Sequence, residues 1–456
     1  MPPEAPHSPL PPRTAAAIEA AEATSPLTRR VVRPAQEFIH QEGAAGRLLI
    51  VATLIALVLA NSPLADAYHA LWETEVGFEL GSISVVQPLL EWVNSGLMAI
   101  FFYLVTLEVK HEFIDGALST RKDAILPVAA ALGGMLVPAA IYLLANTLLA
   151  GDTRGWGVPI ATDIAFAVAI ASLLRGRVPA ALLAFLLAFA IVDDIGAIIV
   201  IALFYTDTIV LEALLVAAGL LIATVVLRRL GLSSTTAFVF LGLLVWLAIS
   251  ESGLHATIAG VLMALLTPAR PLDTASGERF TDLAARYRAA REAGDETTAR
   301  WAIGRLEAAA QRTEAPLDRM IRLVHPWSGF IVLPIFALAN AGIPINGEDV
   351  SAALASPVAV GIFVALVVGK PLGIMAATLV TVRVGAARMP HGSSITHVAG
   401  IAALAGIGFT VSIFIAELAF SGEGIVELAK LGIFAASSVA AIAGWSLLRW
   451  AGRARA

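Results

Sequence analysis

Long apolar runs and short polar connectors alternate along this chain. Twelve runs begin near residues 47, 86, 124, 158, 178, 208, 233, 253, 326, 357, 396 and 429. Most extend for about 15 to 28 residues, and a helix needs about 20 to cross the hydrocarbon layer of a bilayer. The pattern predicts an all-α polytopic membrane protein of about twelve transmembrane helices, the eighth of them short. A β-barrel would instead show short segments of alternating polarity. One stretch breaks the helical pattern: Val76–Val86 alternates apolar and other residues around Gly81-Ser82. That is a hairpin signature, and the open edges of such a hairpin can pair with a second copy of the chain.

The predicted organisation is a cytoplasmic tail over 1–45, helices one to eight over 46–269, and a cytoplasmic loop over 270–324. Helices nine to twelve then occupy 325–450, and 451–456 form a C-terminal tail. The first tail is rich in Pro and Ala and has no apolar core of the kind a cleavable signal peptide carries. Its first thirty or so residues read as disordered. The loop, rich in Ala, Arg and Glu, reads as one or two cytoplasmic helices.

Charge sets the orientation. Of 30 Lys and Arg residues, all but Arg154, Lys370 and Lys430 fall in the tails and in alternate loops. The positive-inside rule places those segments, and with them both termini, in the cytoplasm. An even number of spans is then required. Composition agrees: the chain is 58% hydrophobic and only 14% charged, with a mean hydropathy of +0.83. A soluble protein carries roughly a quarter charged residues. The surroundings are therefore a bilayer, not nucleic acid. With no cysteine, disulfides, thiol catalysis and cysteine metal sites are excluded, and no cofactor is expected.

Against this background a few intramembrane charges stand out. Asp193 and Asp194 lie side by side within the apolar run Val178–Tyr205. A carboxylate deep in a membrane is costly unless a cation, a proton or a basic partner offsets it. Neighbours on a helix point about 100° apart, so one can face a water-filled crevice while the other meets an adjacent helix. Lys370, in Val367-Val-Gly-Lys-Pro-Leu-Gly373, is a natural partner for the second. Asp163 follows Pro159 by four residues, and proline disfavours helix at the residue before it. That span is therefore expected to break near the aspartate. A second break is expected at Ala405-Gly406-Ile-Gly408-Phe-Thr410. Broken helices expose backbone groups that can line an ion site. Carboxylates with the Thr162 hydroxyl supply hard oxygen ligands for a small cation. Crowded, partly desolvated carboxylates also hold protons tightly. One group can then carry a proton or a metal ion, but not both.

At these residues the chain resembles the bacterial NhaA-type sodium/proton antiporters, over roughly residues 36–450. The marks are Leu107-Glu-Val-Lys110, Ala161-Thr-Asp-Ile-Ala-Phe166, Val192-Asp-Asp-Ile-Gly196 and His255-Ala-Thr-Ile-Ala-Gly260. They continue with His325-Pro-Trp327, Phe336-Ala-Leu-Ala-Asn-Ala-Gly342, Gly369-Lys-Pro-Leu-Gly373 and Gly406-Ile-Gly-Phe-Thr410. The resemblance implies inverted-topology repeats, with interrupted helices four and eleven crossing at mid-membrane. It further implies that Asp194 is the principal carrier of Na+, Li+ or H+, and that Asp193 pairs with Lys370 and assists. Thr162 and Asp163 would sit at the crossing, where Asp163 balances the half-helix dipoles. Glu108, Glu112, His255 and His325 are the implied pH-response residues. An electrogenic, pH-regulated exchanger of the bacterial inner membrane follows, dimeric through its outer hairpin and not an enzyme.

The chain departs from that family at two places. It has Asn94-Ser95 where an Asn-Asp pair is common, and Met320-Ile-Arg322 where a Leu-Glu-His run often precedes His-Pro-Trp. Two other readings are weaker. An intramembrane aspartyl protease needs its aspartates on separate helices, and a sodium-coupled symporter has less use for a buried lysine at the site.

Overall fold

The computed structural model describes residues 44–80, 83–116, 118–174, 177–205, 209–230, 235–270 and 276–453. The N-terminal tail expected to be disordered, the Gly81-Ser82 turn and the end of the C-terminal tail lie outside these residues. The described part is mostly helical.

Helix α1 (Ala44–Ala60) turns sharply into α2 (Ala65–Glu73), and an antiparallel pair follows, β1 (Glu75–Leu80) and β2 (Ile83–Pro88). Their register sets Val76 opposite Gln87 and Phe78 opposite Val85, so the period-two stretch in the sequence is a hairpin. The Trp92 indole donates to Val76 O at 2.7 Å and ties the hairpin to α3 (Leu89–Ile114). Next come α4 (Arg121–Leu148), a 3-10 turn over Thr153–Ile160, α5 (Ile164–Ser172), α6 (Ala180–Phe204) and α7 (Leu211–Arg229). Two shorter apolar helices, α8 (Thr235–Ser250) and α9 (Thr257–Leu266), precede α10 (Ser276–Glu292) and α11 (Glu296–Thr313). The chain closes with α12 (Pro316–Asn340), α13 (Gly347–Ala355), α14 (Pro357–Arg383), α15 (Ile395–Ala405), α16 (Phe409–Ala419) and α17 (Glu423–Arg453).

Among the described residues, eight helices are long and apolar enough to cross a bilayer, and up to ten spans result if each of two bent pairs is one span. The bent pairs are α1 with α2, at 113°, and α15 with α16, at 42°. Many large apolar side chains remain exposed, among them Leu136, Leu148, Leu203, Leu215 and Ile442. That is the surface a lipid-facing bundle presents.

The polar segment before residue 326 is only partly a connector. Helices α10 and α11 pack on each other through a turn at Gly294, whose φ of 71° favours glycine. Asp295 caps α11 by accepting from Thr297 N and Thr298 N, both at 3.1 Å. Helix α12 then starts at Pro316, ten residues ahead of the apolar run. Proline at the first position and Asp318 in the first turn suit a helix start. Polarity alone hides that extra length.

Short helix α9 is held at its C-terminal end by two cations. Lys110 Nζ donates to Leu265 O and Thr267 O at 2.6 Å, and Arg228 donates to Leu266 O at 2.5 Å. The last carbonyls of a helix have no partner within it, and positive charge suits that end. Lys110 of the Leu-Glu-Val-Lys motif thus has a structural task.

Helices α4 and α14 approach most closely at glycine. A Cβ at Gly373 would collide with Gly133 O, and one at Gly369 would press on Pro138. These two glycines flank Lys370 and let α14 bring the lysine against α4 and the 3-10 turn. Gly373→Val should overpack this contact and destabilise the protein by about 1–3 kcal/mol. A lower melting midpoint by fluorescence-detected size exclusion is the expected result, and an unchanged midpoint contradicts the close approach.

Candidate ion-binding site at the helix crossing

Two interrupted segments meet at the centre of the bundle. In the first, the 3-10 turn ends at Ile160, Ala161–Asp163 run extended, and α5 begins at Ile164. In the second, α15 ends at Ala405, Gly406–Gly408 open the backbone, and α16 begins at Phe409. Pro159 and the paired glycines explain the breaks. Each break supplies groups the other needs. Asp163 N donates to Ile407 O at 2.6 Å, and Thr162 Oγ1 lies 3.1 Å from Ala405 O. Ser412 Oγ donates to Val158 O at 2.7 Å.

Asp163 joins the two half-helices. Its Oδ1 accepts from Phe166 N at 3.0 Å, the N-cap contact of α5. Its Oδ2 accepts from Thr410 N at 3.0 Å and from Thr410 Oγ1 at 2.6 Å, in the first turn of α16. One buried carboxylate therefore faces two helix N-termini, the positive ends of their dipoles. Thr410 was not singled out as a site residue from the sequence. Its position two residues after Gly408, at the start of a resumed helix, was the available signal.

The aspartate pair on α6 divides into two environments. Asp193 is fully buried, its Oδ2 2.7 Å from Lys370 Nζ and accepting from Thr162 Oγ1 at 2.8 Å. Lys370, equally buried, also donates to Ile160 O at 2.5 Å. Asp194 points elsewhere. Its Oδ1, like that of Asp193, is buried without a hydrogen-bond partner among the described residues, but Asp194 lines a cavity of about 430 Å³ together with Thr162 and Asp163. The same cavity is lined toward its other end by Glu108, His111, Glu112 and His325. Asp193 and Lys370 do not line it.

A funnel therefore runs from a mouth of ionisable side chains to the Asp194 carboxyl group. At its mouth His111 Nδ1 lies 3.0 Å from Asp318 Oδ1, linking α3 to α12. Glu108, Glu112 and His325 come together here, whereas His255 does not. It contacts Tyr205 O at the far end of α6. At the divergent positions, Ile321 lines the funnel, Met320 is buried and Arg322 pairs with Glu314. Asn94 accepts from Asn340 Nδ2 at 2.8 Å on the far side of the site.

The whole of this machinery lies within residues 36–448, which match the family model described as Na+/H+ antiporter 1. The chain belongs to that family. Among curated relatives, the Na+/H+ antiporter NhaA 2 of Myxococcus xanthus is 44% identical, over 93% of this chain and 90% of that one. The Na+/H+ antiporter NhaA 2 of Syntrophotalea carbinolica is 43% identical, over 91% of this chain and 96% of its own length. The solved sodium proton antiporter MjNhaP1 of Methanocaldococcus jannaschii overlays with a TM-score of 0.48 at 12% identity, covering 97% of this chain and 98% of that one. The antiporter family resemblance read from eight short motifs is thus established along most of the chain.

In this family member the Asp193–Lys370 pair has a testable energetic signature. Removing one partner of a buried ion pair leaves an uncompensated charge and typically costs about 3–5 kcal/mol. Lys370→Ala should lower the melting midpoint markedly, and Asp193→Asn/Lys370→Ala should recover part of the loss. If the double variant is as unstable as the sum of the singles, the two residues are not coupled.

Proposed function

We propose that this protein is a secondary transporter, not an enzyme, that exports Na+ or Li+ in exchange for H+ by alternating access. The observation that carries the reading is the division of labour between adjacent aspartates. One is paired with Lys370 and Thr162 away from the funnel, and the other lines it. A carboxylate of the second kind can hold a proton or a small hard cation. Asp194 is the carrier. Thr162 and Asp193 offer further oxygens, while Asp163, whose two oxygens are engaged, keeps the half-helices in register.

Charge counting makes the exchange electrogenic. In the arrangement described, a protonated Asp194 and an Asp193–Lys370 ion pair together carry no net charge, and the charge of Asp163 does not change in the exchange. A cation that draws on both carboxylates displaces the Asp194 proton and competes with Lys370 for Asp193. A buried ammonium stripped of its counter-ion releases its proton. More protons then leave than cations arrive. The funnel mouth, with Glu108, Glu112 and His325 beside His111, is the place where cytoplasmic pH can act. His255 takes no part in that cluster.

The membrane arrangement completes the proposal. Counting the eight long helices, the two bent pairs and short α8 and α9 gives twelve spans, with inverted repeats related about the crossing. Both termini and the α10–α11 pair lie in the cytoplasm, in a bacterial inner membrane. The β1–β2 edge pairs two copies into a dimer.

Everted membrane vesicles test the exchange. Adding Na+ or Li+ should collapse a preformed proton gradient between about pH 6 and 9, above the range in which a free carboxylate holds a proton. Asp194→Asn should abolish the collapse to the level of vesicles lacking the protein while the variant remains folded. Near-normal collapse in that variant would falsify the assignment. Solute uptake driven by Na+ without a pH change would identify a symporter instead.

A further inference from the structure

Two helices of this bundle carry the same unusual turn, and a proline follows it in both. Among the described residues three turns have the wide i→i−5 winding of a π-helix: Val93–Leu97 in α3, Ser328–Val332 in α12 and Ala365–Gly369 in α14. The last two share one layout. A single residue follows the turn and then a proline, giving Leu333-Pro334 in α12 and Lys370-Pro371 in α14. The intervening residue donates its N–H five residues back, Leu333 to Ser328 O and Lys370 to Ala365 O. Both of these residues face the site: Leu333 lines the funnel, and Lys370 meets Asp193.

Proline explains the winding. It has no N–H for the carbonyl four residues back, and its ring collides with that carbonyl in a regular helix. A wider turn moves the carbonyl, here Val367 O, off the Pro371 ring. Leu366 O, next in the i→i−5 series, would need a donor at residue 371 and finds none there. It lies instead against the second break, where a Cβ on Gly406 would come within 2.6 Å of it.

The wide turn also decides what α14 faces. A Cβ added at Gly361, Gly369 or Gly373 would in each case meet α4, at Asn146, Pro138 and Gly133 respectively. Eight residues of regular α-helix turn about 80° beyond two full circles, which would set Gly369 well round from Gly361. A π-turn takes up one residue and cancels about 100° of that rotation, so both halves of α14 lie on α4. Lys370 is set by the same step. In a regular helix anchored at Gly361 its side chain would swing about 100° away from Asp193.

We infer that Pro371, acting through the π-turn Ala365–Gly369, is the positioning residue that aims Lys370 at Asp193. Proline keeps the turn wide, the wide turn sets the phase, and the phase delivers the ammonium to Asp193 Oδ2 and Ile160 O. Its bearing on transport rests on the exchange reading given above, whereas the aim of the lysine stands on the helix alone.

Pro371→Ala restores the missing N–H and lets the turn close. Melting midpoints of the parent, Pro371→Ala, Lys370→Ala and the double variant test the aim without any transport. The drop caused by Lys370→Ala should be at least about threefold smaller in the Pro371→Ala background, because the ion pair is already lost there. A proline that only shapes the helix would leave that drop unchanged, and this result overturns the inference. Deleting Val368, an exposed residue of the turn, from Pro371→Ala removes the extra residue and restores the phase. The shortened variant should regain most of the lost midpoint and its sensitivity to Lys370→Ala. Should Pro371→Ala not fold, the shortened variant decides: recovered folding supports the inference, and continued failure overturns it. In everted vesicles Pro371→Ala should behave as Lys370→Ala does, in rate and in pH profile, and retention of the parent's profile overturns the inference. Absence of exchange in the parent would count against the exchange reading alone.

Discussion

Charge buried in a membrane protein must be answered at close range, and that requirement organises this structure from its centre. Lys370 and Asp193 answer each other at 2.7 Å, and neither has water to fall back on. The rest follows from bringing them together. Glycines 369 and 373 let α14 press against α4, so that the lysine reaches the 3-10 turn. The extended Ala161–Asp163 segment then carries Thr162 to the aspartate and Ile160 O to the ammonium. The same break leaves backbone groups that only another break can satisfy, and the Gly406–Gly408 opening is that partner.

With Asp193 held by Lys370, Asp194 is left to line the funnel. Two identical side chains at successive positions differ in chemistry only because a helix turns about 100° per residue. One is fixed within the bundle and the other faces the funnel. A site made this way can exchange a cation for protons because its second carboxylate is not committed in advance.

Much of this was legible in the sequence. The apolar runs gave the helical membrane class, and the Val76–Val86 alternation marked the hairpin. Pro159 and the Gly406/Gly408 pair marked the two breaks, and the rarity of charge within spans singled out Asp163, Asp193, Asp194 and Lys370. Partners supplied by tertiary contact were not legible. Nothing local marks Thr410 as the second cap of Asp163, or Lys110 as a cation closing α9. His255 sits in a motif beside the site's own motifs, yet it contacts Tyr205 O away from the funnel. The start of α12 was hidden because its first turns are polar.

The central claim is that Asp194 holds a proton that a sodium ion displaces. Purified protein in weakly buffered detergent solution, mixed rapidly with sodium chloride and followed with a pH indicator, tests it most directly. The account predicts prompt release of more than one proton per sodium bound, and no release from folded Asp194→Asn. Equal release from the parent and that variant would contradict it.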